Sequence, residues 1–243
     1  MKISGNIKEV RDIVKEWKQQ GLSIGLVPTM GYLHEGHLSL MERAIKENDR
    51  VVVSIFVNPM QFGPTEDLAS YPRDLDRDAA LCEKIGVSMI FHPEPSEMYA
   101  DDFCSYVDMS GLTEELCGKS RPVHFRGVQT VVSKLFHIVP ANRAYFGQKD
   151  AQQLAIIRRM VRDLNFDIEI IGCPIIREED GLAKSSRNTY LNTEERNAAL
   201  ILNKSLTNAK NLIASGERSA KQIKDCIQET IMAEPLAKAD YIE

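Results

Sequence analysis

Short apolar segments alternate with amphipathic helical segments along the first two thirds of the chain. Residues 22–27, 51–57, 87–91, 143–146 and 166–171 have the length and apolar character of buried strands. Between them, apolar residues recur at the spacing of one helix face. Strands that alternate with helices indicate βαβ units, so the pattern predicts a parallel sheet.

Two local features modify this pattern. Pro28 lacks a backbone N–H group and is predicted to end the first of these strands. Residues 93–118 interrupt the alternation, and within them residues 103–107 predict a lone strand. We therefore expect an insertion between the third and fourth segments of the main fold.

The pattern after residue 192 is mainly helical. Asn192 and Glu195 have the spacing of a capping box, and Gly216 is placed to end the helix that follows. A second helix follows, and residues 239–243 predict a strand that is just beginning. These features predict a first domain of residues 1–174 and a second of residues 175–243.

The net charge and the lengths of the apolar segments indicate which kinds of partner the chain can bind. The 243 residues carry a net charge of −5, which argues against nucleic acid or a membrane surface as the main partner. No apolar run reaches the roughly 18 residues of a membrane span, and the N-terminus does not resemble a signal peptide. We expect a cytoplasmic protein with no nucleic-acid or membrane partner, and its five scattered cysteines are expected to be reduced.

The sequence His34-Glu35-Gly36-His37 stands where the first strand gives way to a helix. A helix N-terminus presents free N–H groups and a positive dipole end, and Gly31 and Gly36 allow the backbone to approach an anion closely. The motif predicts a nucleotide triphosphate site. Two alternatives remain: a metal site that uses both histidines, and a pair of histidines that merely solvate the helix start.

Three further segments carry polar side chains suited to an anionic substrate. Residues 54–63 place Asn58 and Gln61 after a strand, where ligands of parallel sheets bind. Residues 146–153 place Lys149 at a helix start, where its charge can contact phosphate. Residues 180–188 collect two cations and two hydroxyl groups in one loop, as expected of a loop that neutralises polyphosphate.

Five motifs in order resemble those of the pantoate–β-alanine ligase family. They are PTMGYLHEGH, SIFVNPMQFG, RPVHFRGV, FGQKDAQQ and GLAKSSRN. The resemblance also places the chain in the wider superfamily of nucleotidylyltransferases with HxGH and KMSKS-type signatures. It implies an α/β fold, with a Rossmann-like parallel sheet, helices on both faces and a smaller C-terminal α/β lid domain that is expected to be incomplete here.

The resemblance implies a two-step ligation. Pantoate attacks the α-phosphate of ATP to give pantoyl adenylate and pyrophosphate, and β-alanine then displaces AMP to give pantothenate. ATP is expected to act with Mg²⁺, and the family implies a homodimer. Two other functions remain open: another HxGH nucleotidylyltransferase, and a catalytically silent nucleotide-binding regulator.

The resemblance also assigns residues to each substrate. The catalytic set is His34, His37, Lys149 and Arg187, with His37 as the expected proton donor. The residues expected to bind ATP are Met30, Gly31, His34, His37, Gly147, Gln148, Lys149, Asp150, Ile176, Lys184, Ser185, Ser186 and Arg187. Those expected to bind pantoate are Met30, Gln61, Phe62, Val132 and Gln153, and Gln61 is also expected to bind β-alanine. Ordinary core packing is an equal alternative for Val132.

Some positions are less clear. Arg121 and His124 match a mobile segment that covers the site in the family. Lys184 stands where an apolar residue is common, so its side chain either contacts phosphate or points to solvent. Asp78 and Asp150 are candidates for the outer shell of Mg²⁺, although the acidic run around Asp78 is more expected at a solvated helix start.

Overall fold

The predicted parallel sheet is confirmed in the computed structural model, which describes residues 1–243. Its six strands lie in the order β1-β4-β3-β2-β5-β6, and every neighbouring pair is parallel. The strands are β1 (Lys2–Ser4), β2 (Ile24–Thr29), β3 (Arg50–Ile55), β4 (Met89–Phe91), β5 (Arg143–Gly147) and β6 (Glu169–Cys173). The order reverses between β2 and β5, the place where open α/β sheets bind ligands.

Helices connect these strands and continue beyond the sheet. Those up to residue 163 are α1 (Ile7–Gln19), α2 (Glu35–Glu47), α3 (Leu75–Ile85), α4 (Pro95–Met98), α5 (Cys117–Ser120), α6 (His124–Ile138) and α7 (Ala151–Asp163). The later ones are α8 (Thr193–Ala198), α9 (Ile201–Ala214) and α10 (Ala220–Met232). Short 3₁₀ turns follow β3 at Pro59–Gln61 and β5 at Gln148–Asp150, and a third spans Ser186–Tyr190.

The core has two halves because successive residues of a strand face opposite sides of the sheet. Leu26 and Val52 pack on one face with side chains from α1, α6 and α7. Val27 and Val53 pack on the other face with side chains from α2 and α3. Helices therefore cover both faces, as the family resemblance implies. All five cysteines are free thiols.

Two local predictions are wrong. Pro28 does not end its strand, since β2 continues to Thr29. The pairing of β2 with β5 ends at Leu26, so the missing N–H of Pro28 interrupts no hydrogen bond on that side. Residues 103–107 form no strand. Phe103 instead stacks edge-on against Tyr99 and Tyr106, and the Val107 N–H donates to the Thr130 hydroxyl at 3.0 Å.

The chain divides into two compact units, Met1–Ile175 and Ile176–Glu243. The division falls one residue after the boundary expected from sequence, and the roles of nucleotide-binding and lid domains stay a prediction. In the second unit α9 and α10 pack together, and an isolated antiparallel bridge joins Arg177 and Ala183. Residues 239–243 have no regular structure, because no strand in this unit offers them a ladder partner. None of the helices is long and apolar enough to cross a membrane.

Candidate active site

The loop between β2 and α2 makes a sharp turn at residue 31, which has to be glycine. Gly31 has φ +84°, and a Cβ there would lie 2.9 Å from Ile55 Cγ2 and 3.1 Å from Asp78 Oδ2. Tyr32 also has positive φ, +50°, a conformation that costs a non-glycine residue about 1–3 kcal/mol. The loop is therefore held in place by its surroundings. A cavity of about 260 Å³ opens beside it and reaches Met30 and Gly31.

The two histidines of the motif form the N-terminal cap of α2. The Gly36 N–H donates to His34 Nδ1 at 3.1 Å, and the His34 N–H donates to His37 Nδ1 at 3.3 Å. The ring centroids lie 4.0 Å apart. Each Nδ1 accepts a hydrogen bond, so each neutral ring carries its proton on Nε2. The cap thus fixes which nitrogen of His34 and His37 can donate to a ligand.

His37 is neutral at physiological pH. Burial among protein atoms, then the neighbouring His34 and the Lys149 ammonium, lower the pKa of His37 to about 3. Lys149 therefore lies close enough to His37 to affect the charge of its ring, and the catalytic role of both residues stays a prediction. A neutral imidazole donates a hydrogen bond from Nε2, and it does so without carrying a charge of its own.

Gln61 lies in a second polar group at the end of β3. Its Oε1 accepts a hydrogen bond from Asn58 Nδ2 at 3.1 Å, and its Nε2 contacts the Met30 sulfur at 3.3 Å. Asn58 is buried and also donates to the Gly127 carbonyl, while its own Oδ1 accepts from the Tyr99 hydroxyl at 2.7 Å. Asn58 therefore orients Gln61. The expectation that both amides are placed to bind substrate is wrong for Asn58, whose polar atoms are all used within the protein.

The first residues of α6 pack closely against the 3₁₀ turn Pro59–Gln61. A Cβ at Gly127 would lie 2.3 Å from the Met60 carbonyl oxygen, so the close approach requires glycine. The His124 Nδ1 lies 3.0 Å from the Gln61 carbonyl oxygen, and the Arg121 guanidinium donates to both carboxylate oxygens of Glu66. Arg121 and His124 thus lie beside Gln61. Burial lowers the pKa of His124, which favours its neutral form.

The remaining residues predicted to bind pantoate differ in their surroundings. Gln153, in the first turn of α7, is half-buried and makes no hydrogen bond to the protein through its side chain, so its amide is open to a ligand. Phe62 packs edge-on against Tyr71. Val132 is only 4% exposed and belongs to the core cluster around α6, which is what its core-packing alternative predicts. No hydrogen bond joins the side chain of Gln153 to that of Gln61.

The FGQKDAQQ motif follows the end of β5. Gly147 ends the strand, and Gln148, Lys149 and Asp150 form a 3₁₀ turn before α7. Lys149 Nζ lies 3.6 Å from the exposed Asp150 carboxylate. The amide of Gln152 accepts from the Cys117 N–H and donates to two carbonyls of the 112–115 segment. The motif therefore presents a lysine at the sheet edge and also anchors the insertion.

The GLAKSSRN motif lies in the second unit. The Lys184 N–H donates to the Ile176 carbonyl at 3.0 Å, and its ammonium pairs with Glu178 at 3.1 Å. Contact of this side chain with phosphate stays a prediction. The Ser185 hydroxyl caps the following turn by accepting from the Arg187 N–H at 3.3 Å, and Ser186 is buried. Contacts with Ile176 and Glu178, together with the cap at Ser185, thus help to hold the loop.

Asp78 binds the backbone of the loop before α2, a contact that the sequence did not reveal. It is 1% exposed, so the expectation of a solvated helix start is wrong for it, and its carboxylate accepts the N–H groups of Tyr32 and Leu33. One signal was available: Asp78 shares the spacing of an apolar helix face with Leu75 and Cys82. The structure contains no group of three or more histidine, cysteine or acidic side chains that could hold a metal ion, and an outer-shell role for Asp78 or Asp150 stays a prediction.

Comparison with known proteins identifies the family. The family model described as pantoate-beta-alanine ligase matches residues 2–243. The pantothenate synthetases of Clostridium acetobutylicum and Enterococcus faecalis are each 65% identical to the chain, over all of it and 86% of their own length.

Solved structures agree. Pantothenate synthetase from Thermus thermophilus superposes with a TM-score of 0.94 at 47% identity, over 99% of this chain and 86% of the other. Pantoate-beta-alanine ligase from Francisella tularensis, complexed with beta-gamma ATP and beta-alanine, gives 0.83 at 36% identity, over 95% and 86%. The five ordered motifs, the six-stranded parallel sheet and these matches establish that the chain belongs to the pantoate–β-alanine ligase family.

Proposed function

We propose that this ligase forms pantothenate through a pantoyl adenylate and releases pyrophosphate and then AMP. The observation that carries the proposal is the hydrogen bond from the His34 N–H to His37 Nδ1, which leaves the proton of the neutral ring on Nε2. The Lys149 ammonium is close enough to help lower the pKa of this ring. One group supplies an aimed hydrogen bond and the other supplies charge. Both are needed where negative charge accumulates on a phosphate in a transition state.

In the first step, a carboxylate oxygen of pantoate attacks the α-phosphorus of ATP. A P–O bond forms to that oxygen, and the bond from the α-phosphorus to the bridging oxygen of pyrophosphate breaks. The carboxylate is already ionised at neutral pH, so the step needs no general base. His37 Nε2–H donates to an oxygen of the reacting phosphate, and Lys149 offsets the added charge. The family resemblance gives His37 as the proton donor to the bridging or leaving oxygen; because the pKa of its ring is about 3, the role proposed here is a hydrogen bond from the neutral ring.

Gln61 and Gln153 hold pantoate in this proposal. Gln61 is fixed by Asn58 and lies against Met30, whereas the amide of Gln153 has no partner in the protein. Amides both donate and accept hydrogen bonds, as a substrate with hydroxyl and carboxylate groups requires. Met30 and Phe62 supply apolar surface for the dimethyl group.

In the second step, the amine of β-alanine attacks the acyl carbon of the adenylate. The C–N bond forms, the C–O bond to AMP breaks, and the amine loses a proton to water. Gln61 is assigned to β-alanine as well, because the amine must approach the same carbonyl group. A complex of the Francisella tularensis relative with ATP and β-alanine supports binding of both ligands by this family.

The second unit contributes ATP contacts in the proposal. By the family resemblance, Ile176, Lys184, Ser185, Ser186 and Arg187 contact the nucleotide. Mg²⁺ enters as part of the ATP substrate, since Mg²⁺ is held mainly by phosphate oxygens and water in such sites. For Lys184, the backbone is the expected contact, because its ammonium pairs with Glu178.

Exchange of labelled pyrophosphate into ATP tests the proposal. With Mg²⁺-ATP and pantoate but without β-alanine, the protein should exchange label, because the first step is reversible before the amine arrives. Omitting pantoate is the control and should abolish exchange. Formation of ADP and phosphate would contradict the adenylate route, and nucleotide binding without any exchange would support the silent regulator.

A further inference from the structure

The carboxylate of Asp78 is bound to the loop that leads into His34. Asp78 lies in the first turn of α3, and its Oδ2 accepts the Tyr32 N–H while its Oδ1 accepts the Leu33 N–H, each at 2.7 Å. Two successive backbone N–H groups thus converge on one side chain, as they otherwise do on a bound anion. In the sequence, Asp78 lies 46 residues after Tyr32 and 45 residues after Leu33.

The neighbouring Arg77 completes the attachment. Its Nη2 donates to the Leu33 carbonyl at 2.9 Å, and its guanidinium lies 5.0 Å from the centre of the Tyr32 ring. Both polar groups of the Leu33 backbone are therefore bound by side chains of α3. The next residue, His34, is the N-cap of α2.

This attachment explains the unusual backbone of the loop. Gly31 and Tyr32 both have positive φ, and a non-glycine residue keeps that conformation only when its neighbours determine it. A buried carboxylate loses its hydration, so its presence requires compensating hydrogen bonds. In a surface loop, water could accept the hydrogen bonds of the Tyr32 and Leu33 N–H groups, but water would not hold the loop in one place.

We propose that Asp78, assisted by Arg77, is a positioning residue that sets the place of His34 and His37 for adenylation. It acts through the loop backbone and touches no reacting atom. Leu33 is adjacent to His34, and the His34 N–H in turn holds His37 Nδ1. The kinetic part of this inference rests on the proposed function, whereas the structural part does not.

The first test compares Asp78→Asn with Asp76→Asn. Asparagine has the shape of aspartate, but it can accept only one of the two N–H groups and turns its own NH₂ toward the other. Asp76 lies in the same turn of α3, is exposed and makes no hydrogen bond to the loop, so D76N is the matched control for loss of charge.

Single-turnover formation of pyrophosphate from ATP and pantoate separates positioning from stability. The amplitude counts competent sites, and the rate constant reports their geometry. We expect D78N to keep its amplitude and its KM for pantoate within twofold while the rate constant falls about tenfold or more. D76N should match the parent within twofold. A D78N protein that loses amplitude but keeps the rate constant would show a merely structural role and overturn the proposal.

Hydrogen exchange of residues 31–37 tests the attachment independently of any activity. We expect exchange of the Tyr32 and Leu33 amides to become about tenfold faster in D78N and to stay unchanged in D76N. Unchanged exchange in D78N would refute the attachment. If the parent protein shows no pantoate-dependent pyrophosphate, the proposed function fails and this measurement alone decides the structural part.

Arg77→Met covers the case in which D78N does not fold. The Arg77 side chain is 45% exposed, so its removal leaves the core intact. R77M loses the bond to the Leu33 carbonyl, and we expect its rate constant to fall severalfold at full amplitude. No change in either the rate constant or the exchange of residues 31–37 would overturn the proposal.

Discussion

The HxGH loop and the GLAKSSRN loop carry similar chemistry but are held in different ways. Partners distant in sequence hold the first, since Asp78 and Arg77 bind its backbone from another helix. The ion pairs Lys184–Glu178 and Asp180–Arg196 in and beside the second join residues that lie much closer in sequence. The HxGH loop is therefore set when the sheet and its helices fold. The other loop keeps a local structure in which Lys184 is paired with a nearby carboxylate.

The largest expected effect is that of His37→Ala. Loss of the Nε2 donor should lower the single-turnover rate of pyrophosphate formation by about 100- to 1,000-fold. The same change removes a cap acceptor at a cost of about 1 kcal/mol, which leaves nearly all molecules folded. Urea unfolding measures that cost separately. His137→Ala, at an exposed histidine near the end of α6, is the control, and an unchanged rate in H37A would contradict the role of the loop.

The two lysines offer a direct comparison of the loops. Lys149→Met should slow pyrophosphate formation about 100-fold, because this ammonium acts on the same site as His37. Lys184→Met should slow it less than about threefold, because Glu178 already pairs with that charge. Single-turnover kinetics on both variants measures the difference. Equal losses would mean that Lys184 leaves Glu178 and acts on phosphate.

Substitution of the two glutamines assigned to pantoate should separate effects on pantoate binding from effects on the stability of the protein. Gln61→Ala and Gln153→Ala should each weaken pantoate binding about tenfold in calorimetry, with little change for ATP. Only Gln61→Ala should also lower the free energy of unfolding, by roughly 1–3 kcal/mol, because Gln61 is buried and bonded to Asn58 while Gln153 has no partner. Equal effects on both ligands would contradict the assignment.

The smallest expected effect is on the pH dependence of stability. His37 has a pKa of about 3 in the folded protein and 6.5 as its ordinary value, so between these values the unfolded chain binds the extra proton. Stability therefore falls as pH drops below 6.5, and the His37 contribution is roughly 1 kcal/mol per pH unit. Urea midpoints at about pH 7, 6 and 5 should fall less steeply in His37→Gln, which keeps an acceptor for the cap. Parallel curves would show that folding does not lower the pKa of His37.

Local patterns in the sequence were enough to predict the sheet and the motifs at its edge. The apolar strands, the helix start at the HxGH motif and the helix start after Lys149 are each encoded within a few residues. For these features the physical cause is local, so the sequence alone is informative.

Features that depend on distant partners could not be predicted in this way. Asn58 looked like a substrate ligand because nothing near it reveals the hydroxyl of Tyr99 or the carbonyl of Gly127. Pro28 looked like a strand end because the extent of pairing with β5 is a property of the sheet. Asp78 looked solvated because its acidic neighbours concealed its place on an apolar helix face.

Transfer of oxygen from pantoate to AMP is a direct test of the adenylate route. If the carboxylate attacks the α-phosphorus and the amine then breaks the acyl C–O bond, pantoate labelled with ¹⁸O in its carboxylate must leave one labelled oxygen in the phosphate of AMP. Mass spectrometry of the AMP formed with ATP and β-alanine measures it. We predict one ¹⁸O in each AMP, and unlabelled AMP or label in free phosphate would contradict the adenylate route.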